Sequence, residues 1–154
     1  MSESLDEASI GKQVLADRYE LGELINQGGM AEVRRAHDRL LDRPVAVKIF
    51  RRSDDPAAQR RFDDEARALA RLAHPGLVAI FDVGTGDDRP FLVMECVEGT
   101  SMRSRLLAGP WPLDQGLRIG GVLADALAHA HDRGVVHRAV QPSNILLDRE
   151  DLPH

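Results

Sequence analysis

A lysine, a glutamate and a pair of glycines in this sequence could together hold a polyphosphate. The glycines lie in INQGGMAEV, residues 25–33, and Lys48 lies in PVAVKIF, residues 44–50. Glycine-rich turns between strands present backbone N–H groups to phosphates, but a hairpin turn needs glycine as well. By itself, the glycine pair therefore fits both a phosphate-binding turn and a plain hairpin.

The lysine and the glutamate both fall on apolar faces in the sequence pattern. Period-two alternation puts Lys48 on a largely apolar strand face, although a lone strand lysine usually extends to solvent. In a predicted helix at 56–73, Glu65 falls on the apolar stripe between Phe62 and Leu69. An ionised carboxylate on such a face needs a partner. We therefore predict an ion pair between Lys48 and Glu65.

The apolar pattern predicts a domain of mixed strands and helices. Alternating runs with turn residues between them predict a five-stranded antiparallel sheet. Helices are predicted at 56–73, capped by Asp54 or Asp55, and at 101–108 and 113–133. Short strands are expected at 135–137 and 144–147, whereas the tail DREDLPH is not expected to continue into a strand.

The longest predicted helix contains Gly120 and Gly121, each of which costs about 1 kcal/mol relative to alanine. Close packing against a neighbour would be the usual reason for them. Trp111, between two prolines, is expected to anchor the start of this helix, and Gly134 to end it.

Composition excludes several classes of protein. The chain has 43% hydrophobic and 29% charged residues and a net charge of -5 with interleaved signs, which argues against a nucleic-acid binder. No signal peptide and no membrane-length apolar run are visible, so we expect a cytoplasmic protein. The single cysteine, Cys96, suits a reducing compartment and reads as a small buried hydrophobe rather than a reactive thiol. His129 and His131 do not face one another on a helix, so no metal site is expected there.

Taken in order, these segments resemble the start of a bacterial, actinobacterial-type serine/threonine protein kinase domain. DRYELGELINQGGMAEV resembles its first strands and glycine-rich loop, VAVK its phosphate-positioning lysine segment, and RFDDEARALARLAHPGLVAIFDVG its regulatory helix and next strand. FLVMECVEG resembles its hinge and GVVHRAVQPSNILLD its catalytic loop. The resemblance runs from Asp17 to Asp148.

The resemblance implies an α+β, protein kinase-like fold. Residues 1–16 would be a polar extension, 17–98 a small lobe and hinge with five antiparallel strands and one helix, and 99–154 a truncated helical large lobe. ATP would be the ligand, with magnesium held through the nucleotide by Asn144. The implied catalytic residues are Lys48, Glu65 and Asn144. The implied ATP-binding residues are Ile25, Gly28, Gly29, Val33, Ala46, Lys48, Met94, Glu95, Val97 and Leu146.

The sequence departs from the family at its catalytic positions. Ala139 stands where the family has its base aspartate, and Gln141 where it has its phosphate-steadying lysine. Up to His154 there is no Asp-Phe-Gly segment with its magnesium-binding aspartate. Asn26 and Ala31 replace two glycines of the loop.

Three functions are compatible with these departures. The first is an inactive, pseudokinase-like module that binds ATP or regulates another kinase, with a partner covering the 113–133 helix, whose Leu117, Leu123 and Leu127 are expected to be exposed. The second is a serine/threonine protein kinase that is completed by another chain. The third is a non-functional remnant, which the unconvincing tail would favour.

Overall fold

The structure, a computed structural model, describes residues 13–154, so most of the predicted extension lies outside the described residues. Its strands are β1 (Val14–Leu15), β2 (Tyr19–Gln27), β3 (Ala31–Asp38), β4 (Arg43–Phe50), β5 (Ile80–Gly86), β6 (Arg89–Met94), β7 (Gly99–Ser101) and β8 (Leu146–Asp148). Its helices are α1 (Pro56–Ala70), α2 (Met102–Leu107) and α3 (Leu113–Asp132), with a single 3-10 turn at Pro142–Asn144. The three helices fall within the three predicted ranges.

Six strands form one antiparallel sheet in the order β1-β2-β3-β4-β6-β5. The predicted five-stranded sheet is thus confirmed, with β1 added as a two-residue edge strand that pairs with β2. Strand β4 lies in the middle of this sheet, between β3 and β6. The short strands β7 and β8 pair separately, α1 contacts β5 of the large sheet, and α2 contacts β7.

Strand β4 gives the large sheet a buried face and an open face. Val45, Val47 and Ile49 are 0%, 0% and 3% exposed and form the centre of the sheet core. Because side chains alternate along a strand, Ala46 and Lys48 lie on the opposite face. The other members of the core are Leu15, Tyr19, Leu21, Ala36, Phe91 and Val93.

Helix α1 begins at the predicted position and ends three residues before the predicted end, at Ala70. Its N-cap is Asp55, whose carboxylate accepts a hydrogen bond of 2.9 Å from the N–H of Ala57. Pro56 occupies the first turn, where its missing N–H costs nothing. The Asp55 cap and Pro56 were therefore sufficient to predict from the sequence where this helix begins.

A second, smaller core joins α3 to β8. Ile119, Ile145 and Leu147 form its centre and are 2%, 8% and 0% exposed. Trp111 and Leu123 pack against them, which confirms Trp111 as the anchor of the helix entry.

Gly134 stops helix α3 as predicted, two residues beyond its last residue, Asp132, but no strand follows it. Gly134 has a φ of +75°, a left-handed conformation that favours glycine. The N–H of Val135 then donates to the carbonyl of Ala130 at 3.0 Å and closes the last turn of the helix. The predicted strand at 135–137 is wrong, because its first N–H group serves as part of this cap.

One side of α3 is exposed at its N-terminal end. Leu113 and Leu117 are 78% and 67% exposed, whereas Leu123 and Leu127 are half-buried. The predicted exposure is therefore confirmed for Leu117 and wrong for the other two. No helix in the described part of the chain is long and apolar enough to cross a membrane.

The C-terminal residues fold back on β8, contrary to the prediction. Leu147 forms a bridge to Pro153, and Leu146 exchanges two backbone hydrogen bonds with His154, of 2.8 and 3.0 Å. Asp148 accepts a hydrogen bond of 3.0 Å from the His154 ring and two N–H bonds within the turn. The His154 bond and these N–H bonds hold the pKa of Asp148 below its ordinary value.

A buried carboxylate fixes the outer end of the β2–β3 hairpin. Asp38 is 1% exposed, and Arg18 donates to both of its oxygens, at 2.8 and 2.7 Å. The N–H groups of Leu40 and Leu41 donate to it at 3.0 and 3.3 Å. The Arg18 hydrogen bonds outweigh desolvation and lower the pKa of Asp38 to about 2.

We expect Asp38→Asn to lower the free energy of unfolding by about 2 kcal/mol at pH 7, because charge-assisted hydrogen bonds are lost. The folded pKa of about 2 lies below the unfolded value, so the contribution is complete above about pH 4 and disappears as the pH falls towards 2. Urea unfolding at pH 7 and pH 3 measures the difference between variant and parent, which should shrink at pH 3. The matched control is Asp42→Asn, at a side chain that is 92% exposed; an equal loss in both variants would contradict the prediction.

Gly121→Ala should raise the free energy of unfolding by about 1 kcal/mol, because a Cβ there meets nothing within 4 Å and alanine is the better helix former. The same holds for Gly120, so within residues 13–154 no neighbour accounts for either glycine. Gly76→Ala should be destabilising instead, because its Cβ would lie 3.0 Å from Ala126 and 3.2 Å from Val122. Urea unfolding measures the free energy of unfolding of both variants. A lower value for Gly121→Ala than for the parent would contradict the prediction.

Candidate functional site

Cross-strand pairing brings four predicted ligand residues onto the open face of the large sheet. Val33 lies opposite Lys48, and Ala46 lies opposite Met94. Directly opposed residues of antiparallel strands share a face. The result is a surface of small and apolar side chains with one ammonium group at its edge, which suits a flat apolar ring system that carries negative charge.

Two other predicted apolar contacts lie outside this set of paired residues. Ile25, near the end of β2, is 51% exposed. Leu146 is half-buried on β8, opposite Ser101 of β7. Strand pairing alone does not bring either side chain against the four residues of the sheet face.

Lys48 is half-buried and lies beside an aromatic ring. Its Nζ is 5.2 Å from the centroid of the Phe50 ring, within the range of a cation–π contact. Among residues 13–154, no carboxylate lies within ion-pair distance of this ammonium group. Lys48 is therefore a cation without an anionic partner in this structure.

The predicted ion pair between Lys48 and Glu65 is not formed. Helix α1 packs on the sheet through Phe62, whose ring lies 4.8 Å from that of Phe50, and through Ala66, which is 2% exposed. Ala66 is the buried residue of α1, and Glu65, one position earlier and therefore about 100° around the helix, is exposed. The prediction that Glu65 lies on the buried stripe is wrong for that reason.

The glycine pair lies in the turn between β2 and β3. The N–H of Gly28 donates to the carbonyl of Ala31 at 2.9 Å and closes the turn. A Cβ at Gly29 would meet nothing within 4 Å, and one at Gly28 only the Ala31 carbonyl at 3.8 Å. Neither glycine has a positive φ. The turn itself therefore does not require glycine, and the space that a side chain would fill is open to a ligand.

The segment between β6 and β7 offers free backbone groups. The N–H of Glu95 donates to the carbonyl of Ala79 at 2.9 Å, and the Glu95 side chain accepts from the N–H of Ala79 at 3.3 Å. The carbonyl of Glu95 and the N–H of Val97 have no hydrogen-bond partner in the part of the chain that the structure describes. One acceptor and one donor, two residues apart along this segment, could pair with the edge of a nucleobase.

The loop at 137–144 is held by the backbone of Ala139. The N–H of Ala139 donates to the His137 ring at 3.2 Å, and its carbonyl accepts from the Asn144 side chain at 2.9 Å. Arg138, between His137 and Ala139 in the chain, has a φ of +66°, which is strained for a residue with a Cβ. The loop is thus a tight turn that presents a methyl group at position 139.

Asn144 and Gln141 occupy the far side of the same loop. The N–H of Asn144 donates to the Gln141 carbonyl at 2.9 Å, within the 3-10 turn. Because the Asn144 amide nitrogen is used by the Ala139 carbonyl, its oxygen remains the group that could bind a hard cation such as magnesium. The Gln141 side chain is exposed and carries no charge.

A contact between the two halves of the molecule was missed by sequence reasoning. His74, in the segment after α1, accepts at Nδ1 from the N–H of Gly76 at 2.9 Å. Its other ring nitrogen lies 2.7 Å from a carboxylate oxygen of Asp125 on α3. Gly76 also lies so close to Ala126 of α3 that a Cβ at position 76 would be 3.0 Å from it. This segment and α3 are therefore in direct contact. His74 and Asp125 are about fifty positions apart, so nothing in the local sequence indicated that they meet.

The chain matches the family model "Protein kinase domain" over residues 19–152. Among curated proteins, it is 42% identical over 142 residues to the serine/threonine-protein kinase PrkC of Bacillus subtilis, covering 90% of this chain and 22% of that protein. It is 41% identical over 140 residues to the serine/threonine-protein kinase PknB of Mycobacterium leprae, covering 86% and 22%. The chain spans about a fifth of the length of these relatives.

Solved kinase domains have the same fold. The PknI kinase domain of Mycobacterium tuberculosis matches with a TM-score of 0.79 and 27% identity, covering 95% of this chain and 60% of that one. The structure titled "PpkA-294 apo form" matches with a TM-score of 0.81 and 26% identity, covering 94% and 59%. The predicted kinase-like fold is confirmed, and the chain belongs to the bacterial serine/threonine protein kinase family.

Proposed function

We propose that this part of a kinase domain binds ATP without transferring its phosphate, and that it acts by regulating a partner. The observation that carries the proposal is the contrast between the open face of the large sheet and the loop at 137–144. The sheet side keeps Lys48 beside an apolar face, whereas the loop side has Ala139 and Gln141 at the positions that perform chemistry in the family.

The choice of lysine at position 48 supports phosphate binding. The chain has 20 basic residues of the Lys and Arg types, and only Lys12 and Lys48 are lysines. Arginine therefore serves for nearly all other positive charges. A lysine ammonium is a compact charge that can reach phosphate from a strand, which a planar guanidinium does less well in a confined site.

Free backbone groups support the binding of the base and of the phosphates. The Glu95 carbonyl and the Val97 N–H can pair with an adenine edge beside Ala46 and Met94. The open turn at Gly28 and Gly29 leaves room for phosphates to approach the backbone. When bound, magnesium would neutralise phosphate charge, and the Asn144 side-chain oxygen would be its ligand from the chain.

The loop side argues against phosphoryl transfer. A positioned general base contributes about 10²–10⁴-fold to a rate, and the methyl group of Ala139 cannot accept a proton. Gln141 can donate a hydrogen bond but supplies no charge, and charge stabilisation is the main contribution in phosphoryl transfer. Lys48 also lacks the Glu65 carboxylate that would fix its position.

The runner-up is a serine/threonine kinase whose site is completed by another polypeptide segment. The exposed Leu113 and Leu117 on α3 favour it, since they form an apolar surface of the kind that a further segment would cover. The chain also covers only about 60% of the solved kinase domains that it matches.

We expect ATP to raise the thermal midpoint of the parent chain and not that of Lys48→Met. A ligand at about ten times its Kd adds about 1.4 kcal/mol, which shifts Tm by about 3–6 °C for a chain of this size. Differential scanning fluorimetry with ATP, with and without magnesium, measures the shift. Lys12→Arg is the matched control and should respond like the parent. A parent chain that is indifferent to saturating ATP would refute nucleotide binding.

We expect no transfer of radiolabelled phosphate from ATP to the chain itself or to a generic serine/threonine acceptor protein. The signal should equal that of Lys48→Met, because neither chain has a base at position 139. Incorporation above the Lys48→Met background would overturn the proposed inactivity and favour the runner-up. Repeating the assay with Ala139→Asp shows whether the base alone is limiting.

A further inference from the structure

The Phe50 ring lies where it can hold the Lys48 ammonium group. The two residues are two positions apart on β4, so they share a strand face. The distance of 5.2 Å from Nζ to the ring centroid lies within the cation–π range. Since no carboxylate among residues 13–154 pairs with Lys48, the ring is the group that compensates this half-buried charge.

Phe50 is itself held in place through its ring and through its backbone. It meets the ring of Phe62 on α1 at 4.8 Å with an interplanar angle of 67°, an edge-to-face contact. The backbone carbonyl of Phe50 accepts a hydrogen bond of 3.1 Å from Arg89 on β6. The ring is therefore a fixed platform, while Lys48 has a flexible four-carbon stem.

We infer that Phe50 is a positioning residue, a resting site that holds Lys48 until a phosphate group draws the ammonium away. The inference rests on the proposed nucleotide binding, and it adds a free-energy cost to the binding of a nucleotide that carries phosphates. Binding of a triphosphate must break the contact between Lys48 and the ring, whereas binding of a nucleoside without phosphates leaves it intact. The same ring holds α1 through Phe62, so the resting site links this helix to the lysine without an acidic side chain.

The resting contact can be observed without any ligand. In a Lys12→Arg background, Lys48 is the only lysine, and reductive ¹³C-methylation labels it while keeping its charge. We expect its methyl resonance to be displaced by the ring current of Phe50 and to return to the position of a free methyl-lysine in Phe50→Leu. Phe81→Leu is the matched control, at another phenylalanine that is 41% exposed and packs against Arg43 instead. Loss of the signal in Lys48→Arg assigns it against the labelled N-terminal amine.

The exchange, in which the Lys48 ammonium group leaves the Phe50 ring for a phosphate, is tested by titrating the same chains with ATP and with adenosine. In the parent, ATP should shift the Lys48 methyl signal and adenosine should not. Phe50→Leu should bind ATP about two- to fivefold more tightly by calorimetry, because the competing cation–π contact is gone. Its affinity for adenosine should equal that of the parent.

The outcomes separate this inference from the proposed function. A Lys48 signal at the free position, or one that Phe50→Leu does not change, overturns the resting site even if ATP binds. A displaced signal that depends on Phe50 and ignores ATP overturns the exchange, and calorimetry on the same chain then shows separately whether ATP binds. If Phe50→Leu does not unfold cooperatively, Phe62→Leu replaces it, since loosening the ring should reduce the displacement in part. A full displacement in that variant counts against the inference.

Discussion

The central strand β4 has two faces with opposite requirements, and the rest of the molecule depends on keeping them apart. Val45, Val47 and Ile49 must be out of water, since their burial holds the sheet core together. A slip of one residue in the pairing of β4 would exchange the two faces and force Lys48 into that core. The core therefore fixes the face of the sheet on which Lys48 lies.

The attachment of α1 to the sheet is the second consequence of that strand. Because Phe50 lies on the open face, α1 can pack there through an aromatic contact with Phe62. With α1 packed in this way, Glu65 is exposed to solvent, where a carboxylate needs no partner. An apolar attachment and an ion pair between helix and strand thus compete for the same orientation of α1, and in this structure the apolar attachment prevails.

Local signals in the sequence were sufficient where one residue decides a feature. The Asp55 cap and the alternation around Lys48 are of this kind, and the resemblance to kinases supplied the overall fold. The position of Glu65 was not predictable, because a rotation of one residue on α1 separates the buried from the exposed face. The ion pair of Asp38 with Arg18 joins residues 20 positions apart, and only the sheet register reveals that they meet.

The proposed loss of chemistry and the proposed retention of binding are separable in this fold because the residues concerned belong to different elements. The sheet carries the candidate ligand face, whereas the loop carries position 139. That loop is held by the N–H and the carbonyl of Ala139, which bond to His137 and Asn144. Neither bond involves the side chain of residue 139, so an alanine there removes the base and leaves the turn intact. At Lys48, by contrast, the proposed role in binding belongs to the side chain itself, and no backbone group could replace its charge.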